Sequence, residues 1–242
     1  MRTTFSRQFA ATVLILLFAL LLTGCSRQEM PVPETTIPVV EETLPAATAA
    51  ETILPETIPA EPESDAVFVR VLDYIPTASQ ELRYATENNF TGQVIYDFED
   101  VYLRWGTVKK LMLVSRDLEE LGLYMKIWDG FRPVSAQFVL WEVCPDPTYV
   151  ANPTTGHSSH SRGNTIDLTL ADANGREVEM PTGFDDFSTL ANRDYSDCTD
   201  AAANNAQLLE ILMEKHGFSG YYGEWWHFSD TVNYPVEQEF EP

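Results

Sequence analysis

The chain has 242 residues, of which 37 are acidic and 15 basic, for a formal net charge of −22. That length holds one well-packed domain with extensions, or at most two small domains. Such an acidic surface repels phosphate, which excludes nucleic acid as a partner, and it suits an exported soluble surface.

In chain order, Arg2 and Arg7 form a short positive region ahead of an apolar stretch from Phe9 to Leu22, too short for a comfortable membrane span. The stretch ends in Leu22-Thr23-Gly24-Cys25, which resembles a bacterial lipobox: residues 1–24 read as a lipoprotein signal peptide and Cys25 as the lipidated residue. An ordinary secretory signal with an incidental cysteine is the alternative. Residues 25–65 follow as a tether rich in Pro, Thr, Glu and Ala, in which seven irregularly spaced prolines break any helix. Fully extended at ~3.1 Å per residue it reaches roughly 120 Å, enough to hold a domain off a membrane. The anchor then ties the protein to the membrane through lipid, with the domain on the extracytoplasmic side. Cys144 and Cys198 remain, and outside the cytoplasm they either pair or stay as two buried thiols.

From Ala66 the pattern becomes that of a folded domain, 66–242. Val67–Leu72 reads as a strand, and Thr107–Leu121 as a helix with Val108, Leu111, Val114, Leu118 and Leu121 on one face and Gly122 as its stop. Leu123–Trp128 reads as a strand, Pro133–Val143 as a helix, Ile166–Leu170 as a strand, Asp200–His216 as a helix closed by Gly217, and Trp225–Ser229 as a last strand. Strands and helices mix without regular βαβ alternation, so the fold class is α+β: a small antiparallel sheet flanked by helices.

Two segments carry metal-site chemistry. His160 and Asp167 are seven apart, on opposite faces of a straight strand, so they converge only if the backbone bends between them, and Gly163 permits that bend. Glu224-Trp225-Trp226-His227 supplies a second histidine. Two histidines and a carboxylate leave the open fourth position that a catalytic zinc keeps for water, and Glu224 stands beside it as the proton carrier. Isolated His and Asp are more often hydrogen-bonded structural groups, so spacing by itself leaves both readings open. The two tryptophans should alternate, one in the core and one walling the site.

The ordered set Ser158-Ser159-His160-Ser161-Arg162-Gly163, Ile166-Asp167-Leu168-Thr169-Leu170 and Glu224-Trp225-Trp226-His227 resembles the VanX-type D-alanyl-D-alanine dipeptidases, zinc D,D-peptidases with a hedgehog-like α+β fold. Tyr84-Ala85-Thr86, Asn89-Phe90-Thr91-Gly92, Trp128-Asp129-Gly130-Phe131-Arg132-Pro133 and Phe184-Asp185 agree in order, so the likeness runs from about Leu72 to Tyr234. It implies one Zn²⁺ held by His160, Asp167 and His227, with Glu224 as general base and acid. It further implies Arg132 as the group that stabilises the tetrahedral transition state, its alternative being a structural ion pair. Asp185 would hold the free ammonium of a small D,D-dipeptide, with Ser158 and Tyr84 lining the pocket. His157 has no counterpart as a ligand and is assigned to structure or the pocket rim.

The resemblance implies hydrolysis of D-Ala-D-Ala. Relatives that serve glycopeptide resistance act in the cytoplasm, whereas this chain carries an export signal, so a pool of dipeptide outside the membrane is the expected substrate. Two alternatives stand beside it: a D,D-carboxypeptidase trimming longer peptidoglycan peptides, and a non-catalytic wall-binding lipoprotein that retains the metal fold.

Overall fold

The computed structural model describes residues 59–242. The signal peptide, Cys25 and nearly all of the expected tether lie outside the described residues.

The domain opens with β1 (Phe68–Arg70) and the single-turn α1 (Val71–Tyr74), so the expected strand over Val67–Leu72 is shorter and turns into helix at Val71. There follow β2 (Ser79–Gln80), β3 (Tyr102–Arg104), α2 (Trp105–Glu119), β4 (Tyr124–Asp129), α3 (Val134–Val143), β5 (Thr165–Ala171), α4 (Asp200–Lys215), β6 (Phe218–Tyr221) and β7 (Glu224–Asp230). The α+β class is as expected. The main sheet has the order β2-β4-β5-β7-β6, and a separate two-stranded sheet pairs β1 with β3. The main sheet is antiparallel as expected across β4, β5, β7 and β6, and only at its edge does β2 run parallel to β4, through Ser79↔Lys126 and Gln80↔Ile127. A two-residue polar strand carries no alternation to read, so its pairing is set by the elements around it.

Apolar periodicity explains the helices. Val108, Leu111, Val114 and Leu118 of α2 are all fully buried, whereas Leu121 is exposed because the helix has ended and Gly122 takes a left-handed φ of 71°. In α4, Ala202, Ala206, Leu209 and Met213 recur at helical spacing and are buried, and Thr199 caps the helix by accepting from the Ala202 N–H at 3.1 Å. β5 is buried at every position, as befits the central strand of a sheet packed on both faces. Trp225 and Trp226 are both buried in the aromatic core, with ring centroids 5.5 Å apart. Neither walls the cavity described below, so the expected division of labour between them does not occur. Cys144 and Cys198 are free thiols.

Candidate active site

Local geometry brings the distant segments together. Ser159–Arg162 form a 3-10 turn, capped by the Ser158 side chain accepting from the His160 N–H, and Gly163 closes it at a left-handed φ of 71°. Any Cβ at Gly163 would also run into the Phe68 ring, so glycine is required there twice over. The chain then enters β5, where Asp167 lies directly across from His227 of β7. Cross-strand pairing thus places carboxylate and imidazole side by side, and the turn before β5 swings His160 over them.

The donor atoms converge closely. His160 Nε2 is 3.3 Å from Asp167 Oδ2 and 3.3 Å from His227 Nδ1, and His227 Nδ1 is 3.0 Å from Asp167 Oδ1. A tetrahedral ion with bonds of 2.0–2.2 Å separates its ligands by about 3.3–3.5 Å; two of the three separations match and the His227–Asp167 one is about 0.3 Å shorter, so a small opening of that pair admits one metal ion. Two further observations support the fit. The His160 Nδ1–H donates to the Gly130 carbonyl at 2.8 Å, which turns Nε2 toward the cluster. Asp167 Oδ1 is buried without a hydrogen-bond partner, because the close approach of His227 is not aligned as one. His160, Asp167 and His227 therefore form a metal-competent triad among the described residues.

The electrostatics agree. Burial opposes charge on Asp167, yet His160 and His227 hold its carboxyl well below the usual carboxylate range. Burial likewise opposes the His160 cation, but Asp167 and Asp129 outweigh it and raise the imidazole above its ordinary value. A metal ion must displace that proton, so binding strengthens as pH rises. Glu224 is half-buried, with Oε2 3.5 Å from His227 Nδ1. Burial first, then the negative charge of Asp167, lift its carboxyl above the usual range, against the pull of His227, His160 and Arg132. A base near a metal ion with a raised pKa suits proton transfer at neutral pH.

Arg132 stands on the cavity wall, pinned from behind. Its Nη2 and Nε donate to Asp129 Oδ2 at 2.7 and 3.2 Å, and its Nη1 to Gln137 Oε1 at 3.1 Å. The guanidinium lies 4.9 Å over the Tyr84 ring. The ion pair considered as an alternative role is therefore present, but it leaves one N–H on each of Nη1 and Nη2 unused by these contacts. Burial disfavours its charge, and Asp129 together with Tyr96 and Tyr84 more than offsets that.

Asp185 takes a left-handed φ of 55°, uncommon for a non-glycine residue, and accepts from the Tyr84 hydroxyl at 3.0 Å. The residue is half-buried, but its carboxyl faces the cavity, and burial first, then Asp167, push it up to about 8. Tyr84 is buried and pushed well above the ordinary phenol value by the same two kinds of cause, burial and the Asp185 charge, so it stays a donor. One cavity of about 250 Å³ is lined by all eight of the site residues expected from sequence: Tyr84, Arg132, Ser158, His160, Asp167, Asp185, Glu224 and His227. His157 is exposed on its rim.

Residues 64–241 match the Peptidase_M15 family model, described as D-ala-D-ala dipeptidase. The chain belongs to this family. It is 38% identical to a D-alanyl-D-alanine dipeptidase of Escherichia coli (strain K12) over 163 residues, covering 66% of this chain and 84% of that relative. It is 35% identical to a D-alanyl-D-alanine dipeptidase of Enterococcus faecalis (strain ATCC 700802 / V583), covering 61% of this chain and 83% of the relative. Among solved structures, VanYB in complex with D-alanine-D-alanine is 16% identical, with 57% of this chain and 79% of that one covered and a TM-score of 0.37. With a metal-competent triad at its centre, the chain is a metal-dependent hydrolase of the Peptidase_M15 family.

Within this family member, three supporting residues, Asp129, Gln137 and Ser159, receive no role from the sequence alone. Asp129 is fully buried and accepts from the Tyr96 hydroxyl at 2.9 Å as well as from Arg132. A register shift between Ile127 and Asp129 sets Asp129 opposite Asp167, so a bulge at Trp128 aims it into the site. Gln137, on α3, ties Arg132 to the Ala151 carbonyl at 2.8 Å. Ser159 Oγ lies 3.4 Å from His227 Nε2, the nitrogen that faces away from the triad. Asp129 and Ser159 lie inside the motifs that carry the resemblance, and Asp129 sits three residues before Arg132, which are the signals that could have drawn attention to them.

Proposed function

We propose that this protein is a zinc dipeptidase of the VanX type that cleaves free D-Ala-D-Ala outside the cytoplasmic membrane. The observation that carries this reading is the shared cavity: Glu224 and the triad border it together with Asp185, and at about 250 Å³ it falls below the roughly 300–1,000 Å³ of drug-sized pockets. That size suits a dipeptide better than a longer wall peptide. The proposed catalytic domain is residues 66–242.

His160, Asp167 and His227 would hold the ion. When bound, zinc supplies a Lewis acid that brings the pKa of water from 15.7 to about 7. Glu224 takes up the proton released by the attacking water and returns it to the leaving amine. The unused N–H groups of Arg132 meet the negative charge that develops on the carbonyl oxygen, and Asp129 and Gln137 keep the fork in place as they do so. Asp185, with Tyr84 hydrogen-bonded to it, receives the substrate's ammonium group. Ser158 holds the 3-10 turn that presents His160 and adds a hydroxyl to the cavity wall.

The test compares free D-Ala-D-Ala with its N-acetyl form. The free dipeptide is expected to turn over with zinc present and the acetylated one to be a poor substrate, since an amide cannot pair with Asp185. Equal cleavage of the two would replace this reading with a D,D-carboxypeptidase.

The address is part of the proposal. Cys25 is read as the lipidated residue and 25–65 as the spacer. Among the described residues no helix is long and apolar enough to cross a membrane. Cys25→Ser should move the protein from the membrane fraction to the soluble one. A variant that stays membrane-bound would remove the lipid anchor from the reading.

A further inference from the structure

We infer that Arg193 is a positioning residue for the metal centre, acting through the β6–β7 hairpin, and that Gly220 is present to admit it. This rests on the reading of Glu224 and His227 given above.

The hairpin register has a break at the site. Phe218↔Asp230, Ser219↔Ser229 and Gly220↔Phe228 pair in sequence, and the next pair is Tyr221↔Glu224. Trp225, Trp226 and His227 therefore have no partner on β6, in the stretch that joins Glu224 to the ligand His227. A bulged segment without ladder partners on one side is where a strand loses local rigidity and leaves carbonyls on that side without donors; here the open side faces β6, while His227 stays paired with Asp167 of β5.

Arg193 fills that gap. Its Nε–H donates to the Tyr221 carbonyl at 2.8 Å, and Nη2 donates to the His227 carbonyl at 2.9 Å. Its backbone N–H donates to the Tyr222 carbonyl at 2.9 Å. The hairpin is thus held at three carbonyls, two of them by one rigid fork. The guanidinium lies 4.3 Å over the Phe228 ring and faces Glu210 of α4 at 3.5 Å, and the side chain is only 6% exposed. A Cβ at Gly220 would collide with the guanidinium, so the strand is open where the arginine needs to enter. Arg193 does not line the cavity, and its influence on the chemistry passes through His227 and Glu224. Lysine could supply the charge but not two donors in a fixed plane.

The test uses the full chain loaded with zinc or Co²⁺. Arg193→Met is expected to weaken zinc binding, measured by chelator competition, by about 10–100-fold and to lower kcat with little change in KM. The visible spectrum of the Co²⁺ form should shift, because the imidazole is no longer held at its angle. Gly220→Ala should reproduce these effects by pushing the guanidinium out, and the double variant should be no worse than either single one. Arg193→Lys should fail to restore them. If Arg193→Met does not fold, Gly220→Ala and Arg193→Lys report the same quantities. Unchanged metal affinity and Co²⁺ spectrum, with only a lowered melting temperature, would overturn the inference, as would additive effects in the double variant. Glu224→Gln is the control: if it stays active, the reading of the site itself fails. If it is inactive while the Arg193 variants are normal, only this inference falls.

Discussion

Glu224→Gln is expected to lower kcat by about 10²–10⁴-fold while zinc stays bound at full stoichiometry. Glutamine keeps the size and the half-buried position of the side chain but cannot accept and return a proton. The metal should stay because Glu224 is not among the three converging donors, its Oε2 lying 3.5 Å from His227 Nδ1. Burial already raises the carboxyl, so the neutral amide removes a desolvation cost, and the fold should not suffer. Single-turnover kinetics with metal analysis check this. Activity within about tenfold of the parent would assign the proton transfer to another group.

Asp185→Asn should act in opposite directions on activity and stability. Losing the carboxylate removes the partner of the substrate's ammonium, and kcat/KM for the free dipeptide should fall by on the order of 100-fold, about 2.7 kcal/mol. Cleavage of the acetylated dipeptide should change little. Stability should move the other way, and the sign follows from the carboxyl's rise from 3.8 to about 8. Between those values the folded, metal-free chain keeps a proton that the unfolded chain has given up. The native state therefore loses stability as pH rises from about 4 to about 8. Asparagine carries no such cost, so the variant and parent should melt together near pH 4 and diverge up to about pH 8. The gain there should be on the order of 2 kcal/mol, since part of the shift is screened at a half-buried site. Melting curves of chelator-treated protein across that range decide it, because a bound cation would add its own field. A constant difference at all pH values would mean that Asp185 ionises normally.

Such a trade is what the proposed role of Asp185 as a binding group predicts. Asp185 sits at positive φ, mostly out of water, near Asp167, and its charge is relieved either by a proton or by a cationic ligand. Tyr84 reduces it with one hydrogen bond.

Much of the site was legible in the sequence because its chemistry depends on rare residue types. With four histidines in the chain, His160 and His227 could be singled out with their neighbours Asp167 and Glu224, and the ordered motifs added Arg132, Asp185, Tyr84 and Ser158. Helices with a clear apolar period, α2 and α4, were legible for a different reason: burial of one face writes a repeat into the chain.

The rest depended on contacts between distant segments, which leave no local pattern. The two-residue strand β2 and its parallel pairing come from packing beside β4, not from any alternation of its own. That both tryptophans are interior follows from a sheet covered on both faces. Asp129 reads as an ordinary turn residue until the bulge at Trp128 sets it against Asp167, and Arg193 carries no signal of its own until the β6–β7 hairpin turns the Tyr221, Tyr222 and His227 carbonyls toward it. The sequence by itself singled out the side chains that the structure gathers in one cavity: the three that converge as a metal-competent triad, and those proposed to move a proton and meet an ammonium group. Only the tertiary structure decided what holds them there, because strand register, the bulges and the buried polar contacts across them arise from pairing between segments far apart in the chain.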